Sequence, residues 1–439
     1  MTKTSAGRFF EDYRIDEVIA HAVPRTVTEG DRALYTALYP TRFALASSDV
    51  FARASGLPRS PLEDFAAFHV VFGKTVPDIS LNAIANLGYA EGRFLQPVYP
   101  GDTRTLADVK ALLQQEGIRL DSHVDYTCVM YDEEYHAIAT GSCFGNTLRC
   151  LAVSHDHQGE SLMNEIVSHL IQYEYDRGII HLFLYTKCSS ALFFGDLGFH
   201  EVARVPDQVV FMEKDPNGFT CYLDHLAGKK TPQGRIAAIV MNANPFTLGH
   251  RYLVEQACKE NDWLHLFMVS EDASYFPYAV RKRLIKEGTA DLKNIIYHDS
   301  GPYIISSATF PSYFQKDDLA VIESHANLDL AIFVKIAERL GIKARYVGEE
   351  PTSTVTRRYN EIMAQRLPEA GICCRIIPRN VKDGETVSAS TVRRALHDGD
   401  WETVARMVPE VTLAFLQSDE ARPILARICK DDLKNIVHY

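Results

Sequence analysis

From Ile236 onward the chain alternates short apolar runs with segments of helical period. The runs Ile236–Met241, Trp263–Val269, Ile295–His298, Ala344–Gly348 and Cys374–Pro378 have strand length and are apolar at most positions. That is the pattern of strands covered on both faces, as in a parallel sheet, rather than the in–out alternation of a half-exposed strand. Between them, Arg281–Thr289 and Asp329–Leu340 repeat apolar residues at helical spacing. Strand–helix alternation of this kind predicts a doubly wound α/β domain with a mostly parallel, Rossmann-like sheet. Ligands of such sheets sit beyond the carboxyl ends of the strands.

Upstream the pattern differs. The polar, breaker-rich stretch Ala227–Gly234 reads as a linker. Before it, Tyr126–Tyr131, Ala137–Phe144 and Leu148–Val153 predict paired strands, and the last leads through Asp156-His-Gln-Gly-Glu-Ser161 into a long helix, Leu162–Tyr175. The start of the chain shares neither pattern, and no segment repeats another. The expected parts are therefore 1–106, 107–227, a linker at 228–235, and 236–439.

Composition narrows the class. Of 439 residues, 46% are apolar and 23% charged, enough for several well-buried cores. No apolar stretch approaches the ~20 residues that span a bilayer. The start Met-Thr-Lys-Thr-Ser-Ala-Gly-Arg-Phe-Phe lacks the apolar run of an export signal, so neither membrane association nor export is expected. Nine cysteines, with no C-x-x-C pair and only Cys373 and Cys374 adjacent, suit a reducing cytoplasm better than a disulfide framework or a zinc site. A formal net charge of -11 argues against general nucleic-acid binding. The basic runs Arg281-Lys-Arg283 and Arg357-Arg358 are either solvated helix faces or local phosphate contacts.

Candidate chemistry begins where the first apolar run ends. Asn242-Ala-Asn-Pro-Phe-Thr-Leu-Gly-His250 follows it, and Tyr252, Leu253, Val254, Ala257 and Cys258 then fall at helical spacing. Gly249 and His250 therefore occupy a first helical turn, where free backbone N–H groups and the positive dipole end favour phosphate. Late in the same domain, Val387-Ser-Ala-Ser-Thr-Val-Arg393 places small hydroxyls at another helix start and an arginine fork one turn on. Either segment alone is also the sequence of an ordinary capped helix. Both together, in order and in one domain, point to a phosphate site.

The pair resembles the two signatures of the nucleotidyltransferase superfamily, H/T-x-G-H and Ile-Ser-x-Thr/Ser-x-x-Arg, with Thr247 where many members carry a first histidine. The resemblance implies transfer of the α-phosphate of a nucleoside triphosphate to an oxygen nucleophile, with release of pyrophosphate. It makes His250, Arg393 and Thr247 the catalytic set, the first two for phosphate charge. Asn242, Asn244, Pro245, Phe246, Gly249, Ser388 and Ser390 become the expected ATP contacts, with Arg281 a further one. Glu349 and Glu350 are candidates for the nucleotide sugar or the metal.

More specific strings surround these. Asp262-Trp-Leu-His-Leu-Phe267, Phe276-Pro-Tyr278, Gly288-Thr-Ala-Asp291, Tyr303-Ile-Ile-Ser306, Ala308-Thr-Phe-Pro311 and Val347-Gly-Glu-Glu-Pro351 closely resemble the citrate (pro-3S)-lyase ligase family, from about Val109 to the end. What that implies is an acid–thiol ligase. ATP, with Mg²⁺, and acetate give acetyl-adenylate and pyrophosphate; the acetyl group then passes to the thiol of a CoA-like prosthetic group on the citrate lyase acyl carrier protein, activating citrate lyase. Acetate supplies its own nucleophilic oxygen and the partner supplies the thiol, so positioning and charge stabilisation suffice. Mg²⁺ is expected on phosphates and water, and the sequence shows no cage of metal-ligating residues for it.

The middle part resembles the GNAT acyl-CoA-binding fold, in which a Gly-rich loop at a helix start cradles the pyrophosphate of coenzyme A. Gln158, Gly159 and Ser161 are then expected to receive the CoA-like arm. Asp156 stands where that family carries a basic or amide residue, so acetyl transfer itself is not expected. His181–Lys187 and Phe193–Phe199 match the later strand and helix end of that fold. At the start, Phe9–Tyr13, Thr26–Asp31, Gly73–Ser80 and Asn86–Thr103 resemble the first half of MaoC-like hot-dog hydratases of the mesaconyl-CoA (methylmalyl-CoA) type. A partial hot-dog is implied, with a sheet edge to cover. The Asp-x-x-x-x-His string of that family is absent. Asp49 and His69 are the nearest candidates, His69 reads as a core histidine, and hydratase activity is not expected. Two other readings stay open: a simple nucleotidyltransferase acting on a nucleotide or an alcohol, and a non-catalytic CoA-binding assembly protein.

Overall fold

The computed structural model describes residues 27–39, 44–75, 97–100, 106–121, 124–132, 136–228, 233–272, 274–306, 319–349, 354–379, 381–382 and 385–431. The chain divides into two compact units, Met1–Ile180 and His181–Tyr439. The division falls inside the segment 107–227 expected as a single part.

In the first unit the first described helices are Glu29–Leu38, Asp49–Ala54 and Asp64–Thr75. Thr28 starts the first with a capping box: its Oγ1 accepts from the Asp31 N–H at 3.2 Å, and its own N–H donates to Asp31 Oδ2 at 2.9 Å. Among the described residues these helices enclose the small cluster Val27, Leu62, Ala66 and Val98. The expected hot-dog strings at 9–13, 86–94 and most of 73–80 lie outside the described residues; Leu62 and Val98 form a single antiparallel bridge. His69 is not a core histidine. The small cluster buries its helix only at Ala66, which leaves His69 exposed against the rings of Tyr35 and Phe68. Asp49 is held locally, accepting from the Ser60 N–H at 2.9 Å.

Further along this unit, helix Leu106–Gln115 precedes an antiparallel meander of β1 (Tyr126–Tyr131), β2 (Ala137–Phe144) and β3 (Thr147–Val153), within a residue of the expected bounds. Helix Leu162–Asp176 buries Leu162, Ile166, Val167 and Leu170, one stripe at helical period.

The second unit opens with β4 (Phe183–Thr186), β5 (His200–Val205) and β6 (Val209–Glu213), antiparallel with β6 in the middle, followed by helix Gly218–Ala227. Then come β7 (Ile236–Met241), β8 (Trp263–Met268), β9 (Ile295–Asp299), β10 (Ala344–Gly348) and β11 (Cys373–Ile377), a parallel sheet in the order β11-β10-β7-β8-β9. The first strand of this sheet, β7, is central: β8 and β9 lie to one side of it, β10 and β11 to the other. The end of β7 is thus the topological switch point, where α/β sheets bind ligands. Helices Leu319–Leu340 and Thr354–Glu369 cover one face. Helices Leu248–Glu260, Tyr278–Gly288, Ala389–Asp398 and Arg422–Lys430 cover the other.

One apolar core runs from the antiparallel strands into the parallel sheet, combining Phe183, Phe211 and Phe219 with Tyr303, Phe333 and Ile336. Glu213 sits within it, 3% exposed, and accepts from the Tyr303 hydroxyl at 2.6 Å and the Phe219 N–H at 2.7 Å, with His181 Nε2 at 2.7 Å. A buried carboxylate is tolerated because donors from before and after residues 228–235 satisfy it. No helix among the described residues is long and apolar enough to cross a membrane. All nine cysteines are free.

Candidate active site

The end of β7 and the two helix starts expected from the sequence converge on one cleft of ≈ 270 Å³. Of the expected residues, Asn242, Asn244, Thr247, Gly249, His250, Ser388, Ser390 and Arg393 line it. Pro245, Phe246 and Arg281 do not. The loop after β7 turns through Ala243, at φ 51, and a cis Asn244–Pro245 peptide before Thr247 caps helix Leu248–Glu260.

The cap determines the state of the histidine. The Thr247 backbone N–H donates to His250 Nδ1 at 3.1 Å, and Thr247 Oγ1 lies 2.9 Å from the same nitrogen. In return, Thr247 Oγ1 accepts from the His250 N–H at 3.4 Å. An N–H donor aimed at Nδ1 makes that atom an acceptor, so the ring proton belongs on Nε2. The imidazole stacks on buried Phe246, ring centroids 5.9 Å apart, which explains why Phe246 supports the site from below rather than lining it. Burial first, then the charges of Arg379 and Arg393, pull the His250 pKa from 6.5 to about 4. His250 is therefore a neutral Nε2–H donor through the physiological range. The folded value lies below the unfolded one, so this group's contribution to stability is complete above pH 6.5 and is lost as the pH falls through about 4. Urea denaturation between pH 7 and pH 4.5 should therefore cost the parent more stability than His250→Gln.

The second segment closes over the first. Ser388 caps helix Ala389–Asp398 by accepting from the Thr391 N–H at 3.0 Å, and its Oγ lies 2.9 Å from Ser390 Oγ. A Cβ on Gly249 would stand 2.8 Å from the Val387 carbonyl oxygen, so only glycine permits the two helix starts to approach this closely. Arg393, 2% exposed, donates from Nη1 to the Asn244 carbonyl at 2.5 Å. Burial lowers its pKa to about 10, leaving it a cation at neutral pH. Asn244 Oδ1 accepts from the Phe276 N–H at 3.1 Å, while its buried Nδ2 finds no partner among the described residues.

Arg281 corrects the sequence reading. It is 1% exposed and outside the cleft lining. Its guanidinium donates to the carbonyls of Phe276 at 2.9 Å, Asn242 at 3.1 Å, Val269 at 2.7 Å and Glu271 at 2.6 Å, and to Asn242 Oδ1 at 2.8 Å. A fork committed in this way pins the ends of β7 and β8 instead of meeting a phosphate. Glu349 does line the cleft and is exposed, with its carbonyl accepting from Arg379 Nε at 2.7 Å; Glu350 lies outside the described residues. The sequence reading missed Arg345, Tyr359, Asn360 and Arg379, which also line the cleft. The available signals were a charge inside the apolar strand Ala344–Gly348 and an arginine just beyond the end of β11.

In the first unit, Gln158, Gly159 and Ser161 form an exposed loop before helix Leu162–Asp176. Gly159 has φ 97 and Ser161 φ 63, and the Ser161 side chain makes no capping bond. The first N–H groups of the helix are thus not capped by Ser161.

Fold and cleft together define an α/β domain in which two helix starts converge at the switch point of a parallel sheet. Residues 236–416 match the family model of the citrate lyase ligase C-terminal domain. The chain is 38% identical to the citrate (pro-3S)-lyase ligase of Haemophilus influenzae over 322 residues, 72% of this chain and 96% of that protein. It is 40% identical to the ligase of the same name from Klebsiella pneumoniae over 314 residues, 70% of this chain and 91% of that one. The chain belongs to the citrate lyase ligase family and is a ligase. A further stretch is 75% identical to mesaconyl-CoA hydratase of Cereibacter sphaeroides over 101 residues, 23% of this chain but 29% of that protein. The hydratase-like part is therefore a partial copy.

Proposed function

We propose that the cleft activates acetate with ATP and that the acetyl group is passed to the CoA-like thiol on the citrate lyase acyl carrier protein, which activates citrate lyase in the cytoplasm. In the first step a carboxylate oxygen forms a bond to the α-phosphorus, the α–β O–P bond breaks, and pyrophosphate leaves with the electron pair. In the second the thiol sulfur attacks the acyl carbon, releasing AMP and a proton.

The observation that carries this reading is the Thr247–His250 pair. With Nδ1 occupied by the Thr247 N–H at 3.1 Å, the imidazole presents Nε2–H beside a helix start, a donor for charge that grows on phosphate oxygens as pyrophosphate departs. Gly249 keeps the backbone accessible, Ser390 offers a hydroxyl, and the unpartnered Asn244 Nδ2 offers another donor. Arg393 fixes the loop through Asn244 and adds positive charge. Mg²⁺ would accompany the triphosphate as part of the substrate, held mainly by phosphate oxygens and water. Gln158, Gly159 and Ser161 are the proposed contacts of the CoA-like arm, supported by their uncapped helix start.

The test is incubation with ATP and acetate in the presence of hydroxylamine. The expected result is acetohydroxamate and pyrophosphate in equal amounts, and thiol-form citrate lyase regains activity when added in place of hydroxylamine. Pyrophosphate release that requires a nucleotide or alcohol acceptor and ignores acetate would instead favour the simple nucleotidyltransferase.

A further inference from the structure

Arg345 is a buried cation that the phosphate-binding machinery does not use. It lies on β10, level with Ala238 of β7, and is 1% exposed. Its guanidinium packs over the Phe333 ring at 4.2 Å and the Tyr359 ring at 5.5 Å. Nη2 donates to the Tyr359 hydroxyl at 3.1 Å, and Tyr359 in turn donates to Asp329 Oδ2. Asp329 Oδ1 accepts from the N–H of Ile305 at 2.6 Å, holding that residue at φ 47 on the wall of the cleft. Nε and Nη1 of Arg345 have no hydrogen-bond partner among the described residues. Buried guanidinium N–H groups left in this state are costly unless a ligand completes them. Arg345 lines the same cleft as His250.

Two features select the ligand. The phosphate-type donors come from helices Leu248–Glu260 and Ala389–Asp398, which pack on one face of the sheet. Arg345 reaches the cleft among residues of the opposite face, where the neighbouring cleft walls are Val240, Ile305, Val347 and Met363. A triphosphate there would leave most of its oxygens without donors. One oxygen of a carboxylate with a short alkyl tail matches a buried guanidinium donor set in an apolar wall.

We infer that Arg345 binds the carboxylate of the acid substrate, a short monocarboxylic acid, from the face of the sheet opposite the triphosphate. This rests on the acid-activating reading above. One carboxylate oxygen sits on the guanidinium and the other is left to attack the α-phosphorus, while the apolar walls limit the length of the acid.

The test compares the full chain with its Arg345→Met and Arg345→Lys forms. In pyrophosphate release, the KM for acetate is expected to rise ~100-fold or more in Arg345→Met, and less in Arg345→Lys, while the KM for ATP changes by less than ~3-fold. An unchanged acetate KM overturns the inference. So does a rise confined to ATP, which assigns Arg345 to nucleotide phosphate. If circular dichroism shows that Arg345→Met does not fold, Arg345→Lys and Met363→Ala carry the test. Met363→Ala is expected to shift preference from acetate toward butyrate, and an unaltered chain-length preference counts against the pocket. Calorimetric titration of acetate in the presence of a non-hydrolysable ATP analogue separates binding from turnover. Wild-type binding lost in the Arg345 variants supports the site, and equal binding overturns it. Wild-type binding without acid-dependent pyrophosphate release overturns the reaction proposed above and leaves the Arg345 site standing.

Discussion

His250→Ala is expected to lower acetate-dependent pyrophosphate release by about 10²- to 10³-fold, the usual cost of deleting one preorganised donor to transition-state charge. The loss should fall on kcat, with the KM for ATP little changed, because the donor acts mainly on charge that develops as pyrophosphate leaves. The fold should survive: the ring stacks on Phe246, but the helix keeps the Thr247 cap. His250→Asn, which retains a side-chain N–H, should recover part of the rate. Stopped pyrophosphate assays at saturating ATP and acetate measure this directly. A variant that turns over like the parent would remove His250 from the site.

The second large effect is on stability. Arg281→Met should destabilise the second unit by ~3–5 kcal/mol, the range for breaking a buried charged network by removing one partner. The mutation strips donors from the Phe276, Asn242, Val269 and Glu271 carbonyls at once. Denaturant melts give the midpoint and slope. The catalytic loss should follow from the loosened loop at Asn242. If stability is unchanged and only the KM for ATP rises, Arg281 is a phosphate contact after all.

The two arginines show what the sequence could and could not reveal. The strands of the parallel sheet were legible to within a residue or two because each is a short, mostly apolar run set between segments of helical period. The cleft motif was legible because a strand, a loop and a helix start are contiguous in the chain. Arg281 misled because a basic triplet on a helix looks alike whether a member faces solvent or carbonyls; only the sheet ends at Val269 and Asn242 decide it. Arg345 was passed over for the converse reason. Its partners Phe333 and Tyr359 come from different helices, so no local pattern unites them. His69 was misjudged because its helix buries much less than its composition promises: the cluster it joins holds only four fully buried residues among those described. The strings that would have tested a hot-dog sheet fall largely outside the described residues.

The Glu213 junction has a bearing on how this chain can be taken apart. Its carboxylate is shared by Phe219 and Tyr303, and the apolar core around it runs on to Phe333. Expressed separately, segments 181–227 and 236–439 would each present a raw hydrophobic surface, and Glu213 on the first would lose its Tyr303 donor. The two segments should melt in one transition, and a protease nick between them should leave a complex that elutes as intact protein. Swapping 181–227 for the matching stretch of another protein would then require redesign of the Tyr303 side as well, which makes these two stretches a single heritable module despite the polar sequence between them.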